Sequence, residues 1–173
     1  MKELILGGIR SGKSRLAEER AVASGLNVVL IATATAGDDA MRARIAQHRV
    51  RRPAHWLTIE EPLALAQALE HHARPTRCVI VDCLTLWLTN WLCGDEFTGL
   101  DAQRTALLHI LPTLPGYIIL VGNETSMGVI PLGELTRRYC DEAGTLHQAL
   151  AARCDRVTLT IAGLPLTLKD LSP

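Results

Sequence analysis

The chain has 173 residues, enough for one domain with a proper core and too few for two comfortable ones. Its 18 Lys and Arg balance 18 Asp and Glu, so no global basic field draws it to nucleic acid, and local clusters must carry any anion recognition. Hydrophobic residues make up 48% of the chain with only one Phe, two Tyr and three Trp, an aliphatic composition that suits helices alternating with buried strands.

The first apolar run, Leu4 to Leu6, leads into "GGIRSGKS", Gly7 to Ser14, which satisfies GxxxxGK[ST] between a predicted strand and a predicted helix. In such a loop the backbone N–H groups of Gly7, Gly8, Ile9, Arg10, Ser11 and Gly12 wrap phosphates, and the helix amino terminus adds its positive dipole. Lys13 neutralises terminal phosphate charge, and the Ser14 hydroxyl can reach Mg²⁺. The helix, Ser14 to Ser24, stops at Gly25, a good C-terminal cap. A second strand, Val28 to Ala32, closes in "ATATAG", where Thr33 and Thr35 either leave room for a nucleotide or simply end the strand.

Next comes "RIAQHRVRRPAHW", Arg44 to Trp56, inside a stretch from Met41 to Ile59 with no acid and with Arg42, Arg44, Arg49, Arg51 and Arg52. A helix from about Asp38 and Asp39 to a point before Pro53 puts Arg44 and His48 on one face. Surrounding arginines disfavour an imidazolium, which leaves a neutral, nucleophilic His48 beside anion-binding groups. Attack on the α-phosphorus of a nucleoside triphosphate gives a nucleotidyl-histidine and expels pyrophosphate. The alternative is a solvated basic helix face. His55, beside Trp56, reads as structural.

Pro62 to His72 is the next predicted helix, opened by Glu60 and Glu61. The run Cys78 to Val81 leads into Asp82, a carboxylate at the ligand edge of a parallel strand, suited to Mg²⁺ or to capping the helix that follows. That helix, Leu84 to Cys93, repeats Leu84, Trp87, Leu88, Trp91 and Leu92 on one stripe, which makes both tryptophans core residues. A helix from Asp101 to Leu111 precedes a strand, Tyr117 to Val121, and "GNETSMGVIP", Gly122 to Pro131, follows at the same sheet edge. There Glu124 can contact Mg²⁺, orient a hydroxyl or hold a base, or it belongs to an ordinary connecting loop. Leu132 to Arg153 has the charge pattern of an exposed amphipathic helix that includes His147, and Val157 to Ile161 and Leu164 to Leu168 form a terminal hairpin. The alternation implies a single α/β domain over residues 1–173, a mostly parallel central sheet with helices on both faces.

Cys78, Cys83, Cys93, Cys140 and Cys154 are odd in number and never form a CxxC pair, which argues against a disulfide framework or zinc site. The apolar run of "MKELILGG" is too short for a signal peptide, and no later stretch approaches the roughly 20 apolar residues of a membrane span. A soluble, cytoplasmic protein is the expectation.

Taken together, "GGIRSGKSR", "ATA", "RIAQHRVRRPAHW", "DCLTLWLTN", "NETSMGVIP" and "DEAGTLHQALAARCDRVTLTIAGLPL" resemble the bifunctional adenosylcobinamide kinase/adenosylcobinamide-phosphate guanylyltransferases of cobalamin biosynthesis. The resemblance implies a RecA-like P-loop NTPase fold and a homotrimer. It implies phosphorylation of the aminopropanol hydroxyl of adenosylcobinamide by ATP or GTP, then transfer of GMP from GTP to adenosylcobinamide phosphate through a guanylyl-histidine. The matching position is His48: some relatives carry a histidine pair where this chain reads Gln47-His48, and the "HR..RP" pattern aligns on His48. By the same resemblance, the nucleotide contacts fall on Gly7 through Ser14, on Thr33, Ala34 and Thr35, on Arg49, Val50, Arg51 and Arg52, and on Glu60 and Asp82. Catalysis falls to His48 and Lys13, and Mg²⁺ to Ser14 and Asp82. A single-function P-loop kinase and a non-catalytic NTP-binding module are the competing readings; zero net charge and the lack of a basic-aromatic platform argue against a nucleic-acid motor.

Overall fold

The computed structural model describes residues 1–35, 39, 42, 53–94, 99–125 and 127–171. Their strands form one seven-stranded sheet: β1 (Lys2–Gly7), β2 (Asn27–Ala32), β3 (Leu57–Glu60), β4 (Arg77–Asp82), β5 (Tyr117–Asn123), β6 (Arg156–Ile161) and β7 (Leu164–Asp170), in the order β3-β2-β4-β5-β1-β6-β7. All neighbours run parallel except the β6-β7 hairpin. Every strand expected from an apolar run is present, because β-branched and leucine side chains buried on both sheet faces leave a continuous signal. β3 was not foreseen: "LTIE" is a four-residue edge strand whose residues are mostly exposed, so it carries only a brief alternation.

The helices are α1 (Lys13–Ala23), α2 (Leu65–His72), α3 (Leu84–Cys93), α4 (Leu100–Ile110), which continues as a 3₁₀ turn over Leu111–Thr113, and α5 (Glu134–Arg153). They divide between the two faces as strand alternation dictates. Ile5, Ile80, Ile119 and Val121 pack on Ala17 and Ala21 of α1 and on Trp56. Leu4, Leu6, Val79, Val81 and Leu120 pack on the other four helices through Leu69, Trp87, Leu88, Leu107, Leu146 and Leu150. Each fully buried leucine or isoleucine adds about 1.5–3 kcal/mol of burial free energy, so this larger face dominates the core. Trp87 and Trp91 are buried there, as their spacing requires, and both indole N–H groups donate to the Leu63 carbonyl, at 2.9 and 3.3 Å.

Three local expectations need correction. α2 begins at Leu65 rather than Pro62, since the Glu61 carboxylate accepts the backbone N–H groups of Leu63 and Ala64 at 3.0 and 2.8 Å and holds a turn ahead of the helix. His55 is exposed, and the structural role falls to its neighbour Trp56. His147 is buried at 8% exposure, because the second half of α5 turns a stripe of Ala143, Leu146, His147 and Leu150 onto the sheet, whereas residues 134–138 at its start are all exposed. No helix among the described residues is long and apolar enough to cross a membrane.

Candidate active site

β1, β5 and β4 are adjacent and parallel, so their carboxyl ends bring Gly7, Asn123 and Asp82 to one edge. The loop after β1 folds back on itself: the Ser11 N–H donates to the Gly8 carbonyl at 3.2 Å, and Arg10 and Gly12 take left-handed φ values of 57° and 97°. That backbone curls its amides toward a common centre, the geometry of an anion-binding nest at a helix amino terminus. Gly7 has no room for a side chain, since a Cβ would meet the Thr160 carbonyl oxygen at 2.6 Å and Ser11 Oγ at 2.4 Å. The β6-β7 turn buttresses the loop from outside: the Gly163 N–H donates to the Ser11 carbonyl at 2.9 Å. Nothing in the sequence pattern announced this support.

Lys13 is 7% exposed and its ammonium donates to the Gly8 carbonyl at 3.1 Å, so the charge lies along the loop in a poorly hydrated place. One residue on, Ser14 Oγ is 3.4 Å from Asp82 Oδ1. Asp82 therefore faces α1 and does not cap the helix that follows; Cys83 holds the cap position of α3, without a side-chain cap. Ser14 and Asp82 offer hard oxygen donors beside the nest, a set that fits Mg²⁺ completed by phosphate and water. No cluster of three or more His, Cys, Asp or Glu side chains that could hold a metal exists among the described residues. An ion shared with nucleotide phosphates needs none.

The segment after β2 is fastened from beneath. Thr33 is fully buried, with its hydroxyl donating to the Cys83 carbonyl at 2.7 Å and accepting the Cys83 N–H at 2.9 Å. Asn90 of α3 donates to the carbonyls of Thr33 and Pro62, at 2.8 and 3.0 Å, and accepts the Thr35 hydroxyl at 3.0 Å. Thus Thr33 ties the ends of β2 and β4 together, while Ala34 is half-buried and Thr35 exposed. Glu60 ends the outermost strand, four positions from β1 in the sheet. At about 4.8 Å per strand it lies about 19 Å from the phosphate loop, far enough to meet a nucleotide only at its distant end. His48, Arg49, Val50, Arg51 and Arg52 lie outside the described residues, as does the helix expected ahead of Pro53.

On the other side of Asp82, β5 delivers Asn123 and Glu124. The Asn123 N–H donates to Thr85 Oγ1 at 2.8 Å and the Glu124 N–H donates to the Gly7 carbonyl at 3.0 Å, which fixes Glu124 at the root of the phosphate loop. His147 packs under this turn, where burial holds its pKa below the ordinary histidine value and the Glu124 carboxylate pulls it the other way. Beyond Glu124 the chain exposes Met127, Val129, Ile130 and Leu132.

A phosphate nest, a buried lysine and a serine-aspartate pair at the edge of a mostly parallel sheet define a P-loop nucleotide-binding protein of the RecA-like class. Solved structures agree on the fold. The RadB recombinase aligns with 91% of this chain and 73% of its own at a TM-score of 0.54 and 17% identity. The flagellar accessory protein FlaH of Methanocaldococcus jannaschii aligns with 98% and 78% at 0.53 and 14%.

Sequence comparison narrows the class. Residues 3–168 match the family described as cobinamide kinase / cobinamide phosphate guanyltransferase, and the chain belongs to that family of enzymes. It is 66% identical over 169 residues to the bifunctional adenosylcobalamin biosynthesis protein CobP of Pseudomonas aeruginosa, covering 98% of each chain. It is 35% identical over 182 residues to the CobU protein of Escherichia coli, covering 98% of this chain and 100% of the relative.

Proposed function

We propose that the protein phosphorylates the aminopropanol hydroxyl of adenosylcobinamide with ATP or GTP. It then transfers GMP from GTP to adenosylcobinamide phosphate, releasing pyrophosphate and adenosyl-GDP-cobinamide. The observation that carries this reading is family membership over nearly the whole chain, joined to a phosphate loop whose Lys13, Ser14 and Asp82 converge. In both steps the loop amides from Gly7 to Gly12 and Lys13 stabilise charge on the phosphates, and Ser14 and Asp82 hold Mg²⁺, which supplies further neutralisation of that charge. Ala34, Thr35 and Glu60 contact the far end of the nucleotide, with Thr33 holding their strand in place, and Arg49 through Arg52 bind its phosphates. His48 attacks the α-phosphorus of GTP: a P–N bond forms, pyrophosphate leaves with the electron pair, and the guanylyl group passes to the corrinoid phosphate. GTP labelled in the α-phosphate leaves an acid-labile, base-stable label on the protein, and His48→Asn abolishes it; an unlabelled wild type sinks the transferase half.

Five free thiols fit residence in a reducing cytoplasm, and an exposed apolar strip fits assembly as a homotrimer. That strip, Ile161, Leu164, Leu166, Leu168 and Leu171, follows the edge strand β7, which a second subunit would cover. Sedimentation equilibrium is expected to return about three times the chain mass of 18.8 kDa; a monomer at micromolar concentration rules the trimer out.

A further inference from the structure

The kinase step needs an acceptor for the alcohol proton. Its position is constrained by the sheet: β5 lies between the phosphate-loop strand and the Asp82 strand, so the chain leaving β5 emerges beside the phosphates' end of the loop. Glu124 is the first residue beyond that strand, and its N–H bond to the Gly7 carbonyl anchors it there. Asp82 faces Ser14 on the α1 side of the sheet. Glu124 stands near the opposite side, where Gly122 meets His147 of α5 and the Glu124 carboxylate acts on that ring. Glu60, the other carboxylate at the end of a strand on this edge, is on the far side of β2.

A second observation points to the same corner. Gly122 exists so that α5 can approach: a Cβ there would lie 3.0 Å from His147 Nε2 and 3.2 Å from Leu6 Cδ2. The space is taken by an imidazole in an otherwise apolar stripe, 8% exposed, with the Glu124 carboxylate acting on it electrostatically. Two turns earlier on α5, the Tyr139 hydroxyl is buried without a hydrogen-bond partner among the described residues, near Thr85. Packing alone gives no reason to place an imidazole and a phenol on this helix, since burying polar groups is costly.

We propose that Glu124 accepts the proton of the acceptor alcohol during phosphoryl transfer, and that His147 is the positioning residue behind its carboxylate. The proposal rests on the kinase half of the function above. The alcohol oxygen forms its bond to the γ-phosphorus as the bond to the β,γ-bridging oxygen breaks. The departing nucleoside diphosphate keeps that electron pair, and the hydroxyl proton moves to a Glu124 carboxylate oxygen and then to water.

The test compares the two half-reactions in the full-length protein: corrinoid-dependent nucleoside diphosphate release from adenosylcobinamide, and pyrophosphate release from GTP with adenosylcobinamide phosphate supplied. Glu124→Gln keeps the side chain's shape and is expected to lower kinase kcat by about a hundredfold or more, and the kinase-to-transferase ratio by at least about tenfold. His147→Phe lowers kinase kcat about tenfold with KM for the corrinoid unchanged, and His147→Gln, which restores a polar atom, recovers most of it. Kinase kcat in Glu124→Gln within threefold of wild type, a parallel fall of both half-reactions, or equal kcat in the two His147 variants overturns the proposal. A wild-type chain that leaves adenosylcobinamide unphosphorylated overturns the functional reading itself and this proposal with it.

Discussion

The two ends of the central strands put polar side chains to opposite uses. At the amino ends, Glu3 of β1 is fully buried and is met by the Arg20 guanidinium from the last turn of α1, by the Tyr117 hydroxyl at the start of β5 and by Thr158 of β6. Arg20 in turn donates to Thr158 Oγ1 at 3.0 Å. Those groups satisfy one another. At the carboxyl ends of β1, β4 and β5, Lys13 and Ser14 from the start of α1, Asp82 and Glu124 gather around a curled backbone, with Ser14 and Asp82 at the long limit of hydrogen bonding. The difference teaches that burial of charge alone does not mark a site; what marks one is charge gathered around a concave backbone at the ligand edge of the sheet.

A paired substitution tests this contrast. Glu3→Gln leaves Arg20, whose side chain is only 20% exposed, without its counter-charge, and losing one member of a buried pair costs about 3–5 kcal/mol. The expected outcome is a large drop in the urea midpoint with kcat unchanged in the folded fraction. Lys13→Ala is expected to behave the other way, lowering turnover of both half-reactions about a hundredfold or more while the midpoint shifts little. If Glu3→Gln instead lowers kcat in folded protein, or if Lys13→Ala unfolds it, the division between the two ends is wrong.

How far the sequence carried each end follows from the range of the interactions. The phosphate loop was legible because its geometry is local: a glycine that must lack a Cβ, a left-handed Gly12 and a lysine at the start of a helix all lie within eight residues. The interior strands and the α3 stripe were legible for the same reason, one periodicity being enough to assign them. What stayed hidden depends on partners far along the chain. Asp82 had two possible roles until Ser14, 68 residues away, came within reach. Asn90 was read only as part of a motif, and its role appears when Thr33, Thr35 and Pro62 are seen around it. His147 was misread because the charge pattern of α5, averaged over its whole length, conceals that its second half packs on the sheet. The Glu3 cluster was not singled out, since an isolated glutamate in a strand has no local signature and its partners come from α1, β5 and β6.

The smallest effect sharpens the comparison through pH. Burial lowers the His147 pKa below the ordinary 6.5, and the Glu124 carboxylate opposes that shift without cancelling it. The unfolded chain therefore binds this proton more readily than the folded one. Stability linked to His147 is complete above about pH 6.5 and is lost as the pH falls from there through the folded-state pKa. His72 is displaced in the same direction, chiefly by burial and then by His71, Arg77 and Arg74, so it adds a slope of the same sign that a His147 substitution leaves in place. Replacing His147 by Gln should remove only its own part: urea midpoints of the variant fall less than those of wild type between about pH 7.5 and 5.5. Parallel curves would mean that folding leaves the His147 pKa where it is in the unfolded chain, and a wild type that falls less than the variant would mean that the ring keeps its proton in the folded protein, paired with Glu124. That corner of the carboxyl end would then resemble the self-satisfied charges around Glu3.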